Sequence, residues 1–280
     1  MTLRDFLTVH YWPERALSLQ PKSLEQIRYS VEAFDRHLGR DATLPDLDRL
    51  VVLGFLAARA RKVSPATVNK DRRSLLCLWR LAAELEMAKW PTRIPKAKIP
   101  QTVPHTFSMD ELHRLLDAAA HFRDATFWRS LLLALFDTAS RVSAMLSVRI
   151  ADVNFTDQTI RLRAETTKTL TEQVLPIAQD TAQAIAAQVL GRGRDELVWP
   201  WQFHHRRLFI HFRLIAEKAG IALPRGKVFH SLRRTTATMI ASDIGIEAAC
   251  RRLGHSNIAT TKRYVDASRM TPQTWLPPRP

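Results

Sequence analysis

Apolar positions recur at three- and four-residue intervals along most of the chain, give way to alternation near 152–177, and then return to helical spacing. From residue 1 to about 90 the pattern predicts helices alone, beginning with a segment near Thr2 to Tyr11. Ser23 opens a second helix, with Leu24, Ile27, Val31, Phe34 and Leu38 on one face and Gly39 after it. A third runs from about Leu47 to Ala60 and carries Leu50, Leu53, Phe55 and Leu56. Ser64 and Pro65 start a fourth, as an N-cap followed by proline at the first helical position, and it continues past Trp79 to about Glu86. Its core candidates are Val68, Leu75, Leu76, Trp79 and Leu81.

Residues 91–105, PTRIPKAKIPQTVPH, interrupt this pattern with four prolines, and they carry Arg93, Lys96 and Lys98 without an acid. Such proline spacing disfavours both helix and central strand, so the segment reads as an extended basic linker. It divides a helical domain, 1–90, from a second domain with a C-terminal tail, 106–280. Ser108 and Glu111 form a capping box at the start of the second domain, and helices are predicted near 109–120 and 126–138. Three short strands follow at Asp152 to Phe155, Thr159 to Arg163 and Thr171 to Ile177. Ile160 and Leu162 alternate with Thr159, Arg161 and Arg163, as in a half-exposed antiparallel sheet. Helical spacing resumes at Asp180 to Leu190, 203–219, 229–241 and 245–253. The fold class is therefore mainly α with a small antiparallel sheet. The tail holds four prolines after residue 271, and its Trp275–Leu276 pair is a candidate anchor on a neighbouring protomer.

Charge narrows the partner. Forty-two Lys and Arg against 27 Asp and Glu give +15, which points to an acidic polymer or surface, with nucleic acid as the leading choice. The longest apolar runs, Leu50 to Phe55 and Leu131 to Phe136, are too short to span a bilayer, and the N-terminus lacks a signal layout. Cys77 and Cys250 do not make a disulfide framework and fit buried thiols in a reducing cytoplasm. On the fourth helix, Asn69, Lys70, Arg72 and Arg73 cluster in the first two turns, a composition suited to a major groove. Arg93, Lys96 and Lys98 extend that basic surface into the linker.

The chemistry concentrates in Phe229 to Tyr264, FHSLRRTTATMIASDIGIEAACRRLGHSNIATTKRY. His230 and Arg233 are three apart and share a helix face, while Arg234 points elsewhere, towards a salt bridge or backbone contact. The Arg233 fork suits two phosphate oxygens. Arg141 follows an apolar helix in TASRVSAML, and Lys168 sits at a hairpin tip from which it could reach a leaving oxygen. His255 and Tyr264 are nine residues apart, so on one straight helix they would face opposite ways, at about 100° per residue. They can meet only if His255 occupies a turn, with Gly254 ending one helix, Ser256 capping the next and Tyr264 riding on it. No residues have metal-ligand spacing; His204 and His205, with Arg206 and Arg207, read as a basic helix start.

HSLRRTTAT followed by LGHSNIATTKRY, with DTASRVSAML and the KTLTEQVLPI hairpin upstream, resembles the tyrosine recombinase, or phage-type integrase, family over nearly the full chain. The family pattern falls on Arg141, Lys168, His230, Arg233, His255 and Tyr264. The chain departs from it at Ala139, where the family usually has glycine, and at Ala144, where it usually has an acid. The resemblance implies a helical core-binding domain joined to an α+β catalytic domain. It implies that Tyr264 attacks a DNA phosphate to give a 3′-phosphotyrosine, with both arginines on the non-bridging oxygens. Lys168 would protonate the 5′-oxygen, His230 would exchange a proton with the phenol, and His255 would hydrogen-bond the phosphate. It also implies double-stranded DNA with short inverted-repeat sites as partner, no metal or nucleotide cofactor, and a homotetramer on DNA, with a partner recombinase as a variant. The expected role is integration or excision of a mobile element. The alternatives are an Xer-type chromosome-dimer resolvase and a DNA-binding protein of this fold that has lost cleavage.

Overall fold

Two helix starts show how the sequence sets the local structure. Ser64 Oγ accepts the Thr67 N–H at 3.3 Å ahead of Pro65, and Ser108 and Glu111 exchange bonds of 3.1 and 2.7 Å. Each satisfies backbone donors that a helix leaves unpaired in its first turn. The computed structural model describes residues 1–16, 21–100, 102–167, 169–224 and 228–267. They divide into two units, 1–101 and 102–280.

The first unit is helical: α1 Leu3–Phe6, a π turn Leu7–Tyr11, α2 Trp12–Arg15, α3 Pro21–Leu38, α4 Arg49–Ala60 and α5 Pro65–Glu84. Its core packs Phe6, Phe34, Phe55, Leu75, Leu78 and Trp79. Val68, Leu76 and Leu81 are buried with them as their spacing predicts, but Leu50 is 74% exposed. Asp48 caps α4 and starts it at Arg49, and Val52, Phe55 and Leu56 then fix which side faces inward. Helix α5 itself carries a buried carboxylate, Asp71, bonded by Ser30 Oγ of α3 and Arg59 Nε of α4 at 2.9 Å each.

Residues 89–100 form no helix or strand, yet their first part belongs to this core. Ile94 is buried, while Arg93, Lys96 and Lys98 are exposed.

In the second unit, α6 Met109–Ala120, α7 Ala125–Thr138 and the short α8 Val142–Met145 precede a three-stranded antiparallel sheet in the order β1-β2-β3. The strands are β1 Val153–Asn154, β2 Thr159–Leu162 and β3 Gln173–Pro176, with Val153 opposite Ile160 and Ile160 opposite Leu175. Ile160 and Leu162 are buried on one face. Arg161 and Arg163 turn back to the buried Asp152, at 2.8 and 2.9 Å. Five helices complete the unit: α9 Gln179–Val189, α10 His205–Lys218, α11 Val228–Asp243, α12 Ile246–Leu253 and α13 Ile258–Lys262. Trp128, Trp199, Leu131, Phe212 and Leu232 lie in the core that α6, α7, α10 and α11 enclose. Among the described residues no helix is long and apolar enough to cross a membrane.

Candidate active site

The site forms where α7, α11 and α12 end or begin together. At the end of α7 the backbone turns left-handed at Ala139, with φ 53° and ψ 26°, and Arg141 then caps α8 in extended conformation. Glycine adopts that left-handed conformation without a Cβ penalty, and the chain places a fully buried alanine there.

Helix α11 supplies the next side chains. Its threonines, which the sequence reading assigned no role, tie it to three neighbours. Thr235 Oγ1 accepts the Phe107 N–H at 2.8 Å, Thr236 Oγ1 donates to the Phe136 carbonyl, and Thr238 Oγ1 accepts the Asp266 N–H at 2.9 Å. Arg233, 3% exposed, donates through its two terminal nitrogens to the carbonyls of Ala139 and Leu253. Those carbonyls end α7 and α12, where a cation meets the negative end of the helix dipole. The Nε of Arg233 is buried with no hydrogen-bond partner among the described residues.

Gly254 ends α12 at φ 61°, a left-handed conformation that calls for glycine, and a Cβ there would lie 3.0 Å from the Gln173 side-chain amide and push it aside. His255 therefore lies in a turn, as the spacing argument requires. Two details differ from that argument. Asn257, not Ser256, caps α13, accepting the Ala259 N–H at 2.7 Å, and Tyr264 lies in the turn beyond Lys262 rather than on the helix. The helix stops two residues short of Tyr264, and the turn at its end sets the phenol ring beside His230 of α11.

Around the Tyr264 ring, the His255 ring stands edge-on at 5.1 Å and the His230 ring stacks at 6.5 Å, inclined by 29°. The guanidinium carbons of Arg233 and Arg234 lie 5.6 and 5.9 Å from its centroid. Arg234 thus faces the ring, contrary to the direction read from the sequence. Both side chains are long enough for adjacent helical positions to reach one ring.

This concentration of positive charge perturbs its members. Burial pushes the His255 imidazole down to about 4, and the charges of Arg233 and Arg141 push the same way. Burial and Arg141 likewise push Arg233 down to about 10, opposed by Tyr264, and Arg233 remains protonated at neutral pH. The pocket thus holds fixed cations with no ion-paired carboxylate on Arg141, Arg233 or Arg234 among the described residues. Such a pocket suits an anion whose negative charge grows during reaction.

Lys168, the hairpin-tip candidate, lies outside the described residues, as does the Trp275–Leu276 pair. Of the remaining candidates, His230, Arg233, His255 and Tyr264 come together, with Arg141 close enough to act on both Arg233 and His255. Ala144 is buried in α8. The α5 candidates separate into two pairs. Lys70 and Arg73 are exposed. Asn69 is committed to the chain itself: its Nδ2 donates to the Ala97 carbonyl at 2.8 Å and its Oδ1 accepts the Ala97 N–H at 2.9 Å. Arg72 Nε donates to the Ile94 carbonyl at 2.8 Å, with Nη2 on the same oxygen. As placed, these two hold the proline-rich segment and do not present their polar groups to a groove. At α10, His204 Nδ1 accepts the Arg206 N–H and Arg207 lies 4.2 Å over the Phe203 ring. Among the described residues no His, Cys, Asp and Glu are grouped to hold a metal ion.

A further contact missed from sequence braces the site. Arg252 Nη1 donates to the Asp137 carbonyl at 3.1 Å, while the Asp137 carboxylate accepts from Ala178 N and Thr181 Oγ1 at 2.8 and 2.6 Å. The end of α7 is thus held by α9 and α12 together.

Residues 105–270 match the phage integrase family. A Pseudomonas aeruginosa protein named as a XerC-type tyrosine recombinase is 26% identical over 289 residues, spanning 90% of this chain and 66% of its own length. The chain therefore spans just under two thirds of that relative. A lambda integrase (75–356) dimer bound to a COC′ core site superposes with a TM-score of 0.76 at 19% identity, covering 96% of this chain and 97% of that one. A lambda integrase tetramer bound to a Holliday junction gives 0.75 at 18% identity, covering 95% and 78%. At these identities the structural likeness establishes the fold.

Proposed function

The chain belongs to the phage integrase family of tyrosine recombinases, and on that premise we propose that it cuts and rejoins DNA at specific sites through a 3′-phosphotyrosine. The observation that carries this reading is the placement of the Tyr264 ring among His230, His255 and Arg233. The Tyr264 oxygen attacks phosphorus, a new P–O bond forms, and the bond to the 5′-oxygen breaks. The phenol proton passes to His230. Lys168 supplies a proton to the departing 5′-oxygen, which leaves as a hydroxyl. Arg233 and Arg141 neutralise the non-bridging oxygens in the transition state, and His255, whose ring accepts from Arg233 and contacts Thr261, helps to orient Arg233. A phenol is a weak nucleophile at neutral pH, so the surrounding cations are part of its activation. The phosphodiester energy is kept in the tyrosine ester and returned on religation, so the chemistry requires no ATP, and the arginines take the charge-neutralising part that a metal ion plays in other phosphoryl transfers.

Lys70 and Arg73, with Arg93, Lys96 and Lys98, offer exposed cations to the DNA backbone. Two relatives of this fold are described on DNA, one as a dimer on a core site and one as a tetramer on a Holliday junction. By that likeness we assign this chain a tetramer on DNA at short inverted repeats, acting in integration or excision of a mobile element. The XerC-named relative supports a second reading, resolution of chromosome dimers.

The test is a nicked duplex carrying the inverted repeats that flank the gene's insertion point, resolved on a denaturing gel. A covalent protein–DNA band that survives EDTA and disappears in Tyr264→Phe is expected. No band on any such duplex, with binding intact, overturns cleavage in favour of a DNA-binding protein that has lost it. Binding should weaken steeply with salt, as for any protein that neutralises many phosphates.

A further inference from the structure

We infer that Arg234 is a positioning residue for the nucleophile, holding the Tyr264 ring and stabilising the charge it develops as it attacks. The inference rests on the phosphotyrosine reading above and adds a residue outside the Arg, Lys, His and Tyr set. Three observations carry it. The Arg234 guanidinium carbon is 5.9 Å from the Tyr264 ring centroid, within cation–π range. The Arg234 Nε is buried with no hydrogen-bond partner among the described residues. Arg234 forms no ion pair among them either, so its charge is not spent on a carboxylate.

The physical reason is a difference between two states of the tyrosine. A neutral phenol ring attracts a guanidinium through its quadrupole. When the phenol gives up its proton, negative charge spreads from the oxygen into the ring, and the same guanidinium then interacts with a net charge. Arg234 therefore favours the attacking form over the resting form, which is the condition for raising a rate rather than an affinity. Arg233 lies as close to the ring, so the two guanidinium groups act on it together, but Arg233 also ties the Ala139 and Leu253 carbonyls while Arg234 has no such backbone bond among the described residues. Arg234 also bears on the ring's tilt, because Tyr264 lies in the turn beyond Lys262, where side chains packed from other elements set its orientation.

The experiment compares wild type with Arg234→Met, which keeps length and apolar contact, and Arg234→Lys, which keeps charge. Single-turnover formation of the covalent complex and DNA affinity are measured on the nicked duplex, with the melting temperature as a control for folding. The expected result is a cleavage rate about tenfold lower in Arg234→Met with DNA affinity unchanged, and a rate within about threefold of wild type in Arg234→Lys; tenfold corresponds to about 1.4 kcal/mol of barrier. Equal rates for Arg234→Met and wild type overturn the proposal. So does an equal loss in Arg234→Lys and Arg234→Met, which would mark a packing role. So does a loss of affinity with the rate unchanged, which would place Arg234 on the DNA backbone. Failure of wild type itself to form the covalent complex is a separate result and counts against the phosphotyrosine reading.

Discussion

Arg233 Nη2 lies 3.3 Å from His255 Nε2, and this contact decides the form of the histidine. A guanidinium can only donate, so Nε2 accepts and Nδ1 carries the proton. Nδ1 is 2.9 Å from Thr261 Oγ1, the acceptor that tautomer needs. His255 is thus a neutral imidazole bridging α11 to α13.

Acidification should break that bridge. The folded imidazole is pushed down to about 4, below its ordinary value near 6.5, so between those values the unfolded chain binds more protons than the folded one. The contribution of His255 is complete above pH 6.5 and declines as the pH falls towards 4. Urea unfolding at a series of pH values should show that decline, and His255→Asn should flatten it. An unchanged slope in the variant would contradict the assigned form.

Arg233 joins two helix ends, so its loss costs stability as well as chemistry. Arg233→Lys keeps the charge but cannot bridge the carbonyls of Ala139 and Leu253. Charge-assisted bonds of this kind contribute on the order of 1.5–3 kcal/mol. The variant should lower unfolding free energy by about 2 kcal/mol and abolish covalent-complex formation.

Ala139 gives predictions of different size for two small changes. At φ 53° in a fully buried position, Ala139→Gly relieves the Cβ strain while losing a methyl contact, and should change stability by less than about 1 kcal/mol. Ala139→Val adds a β-branched side chain to a left-handed residue without space, and should cost roughly 3 kcal/mol. Thermal unfolding of the pair distinguishes backbone strain from simple packing.

The inward pair on α5 separates from the outward pair. Asn69→Ala should speed hydrogen exchange at the Ala97 amide, because Asn69 Oδ1 is its acceptor. Lys70→Ala and Arg73→Ala should leave that exchange unchanged and weaken DNA binding.

Much of this arrangement was legible because the signals were local. Ser64–Pro65, Ser108 with Glu111, and Gly254 each satisfy or end a helix within a few residues, and the structure uses them there. The nine-residue gap between His255 and Tyr264 was enough to demand a turn. The illegible parts depend on contacts distant in sequence. Asn69 and Arg72 have the composition of a groove-facing cluster, and only the return of 94–97 beneath α5 shows where they point. Leu50 has the spacing of a core residue, but the phase of α4 is set by Val52 and Phe55 against another helix. Arg234 was turned away by a rule of helical angle, which ignores the reach of a long side chain.

The double use of Arg233 also sets the order in which a decaying copy of this gene would lose its parts. Tyr264 can become phenylalanine and still fill its place against Ala139, Ala237 and Leu253. Arg233 has no such replacement, because removing it frees the ends of two helices. A descendant that kept DNA binding and abandoned cutting would therefore shed the phenol oxygen early and retain this arginine long after its chemical use had ended.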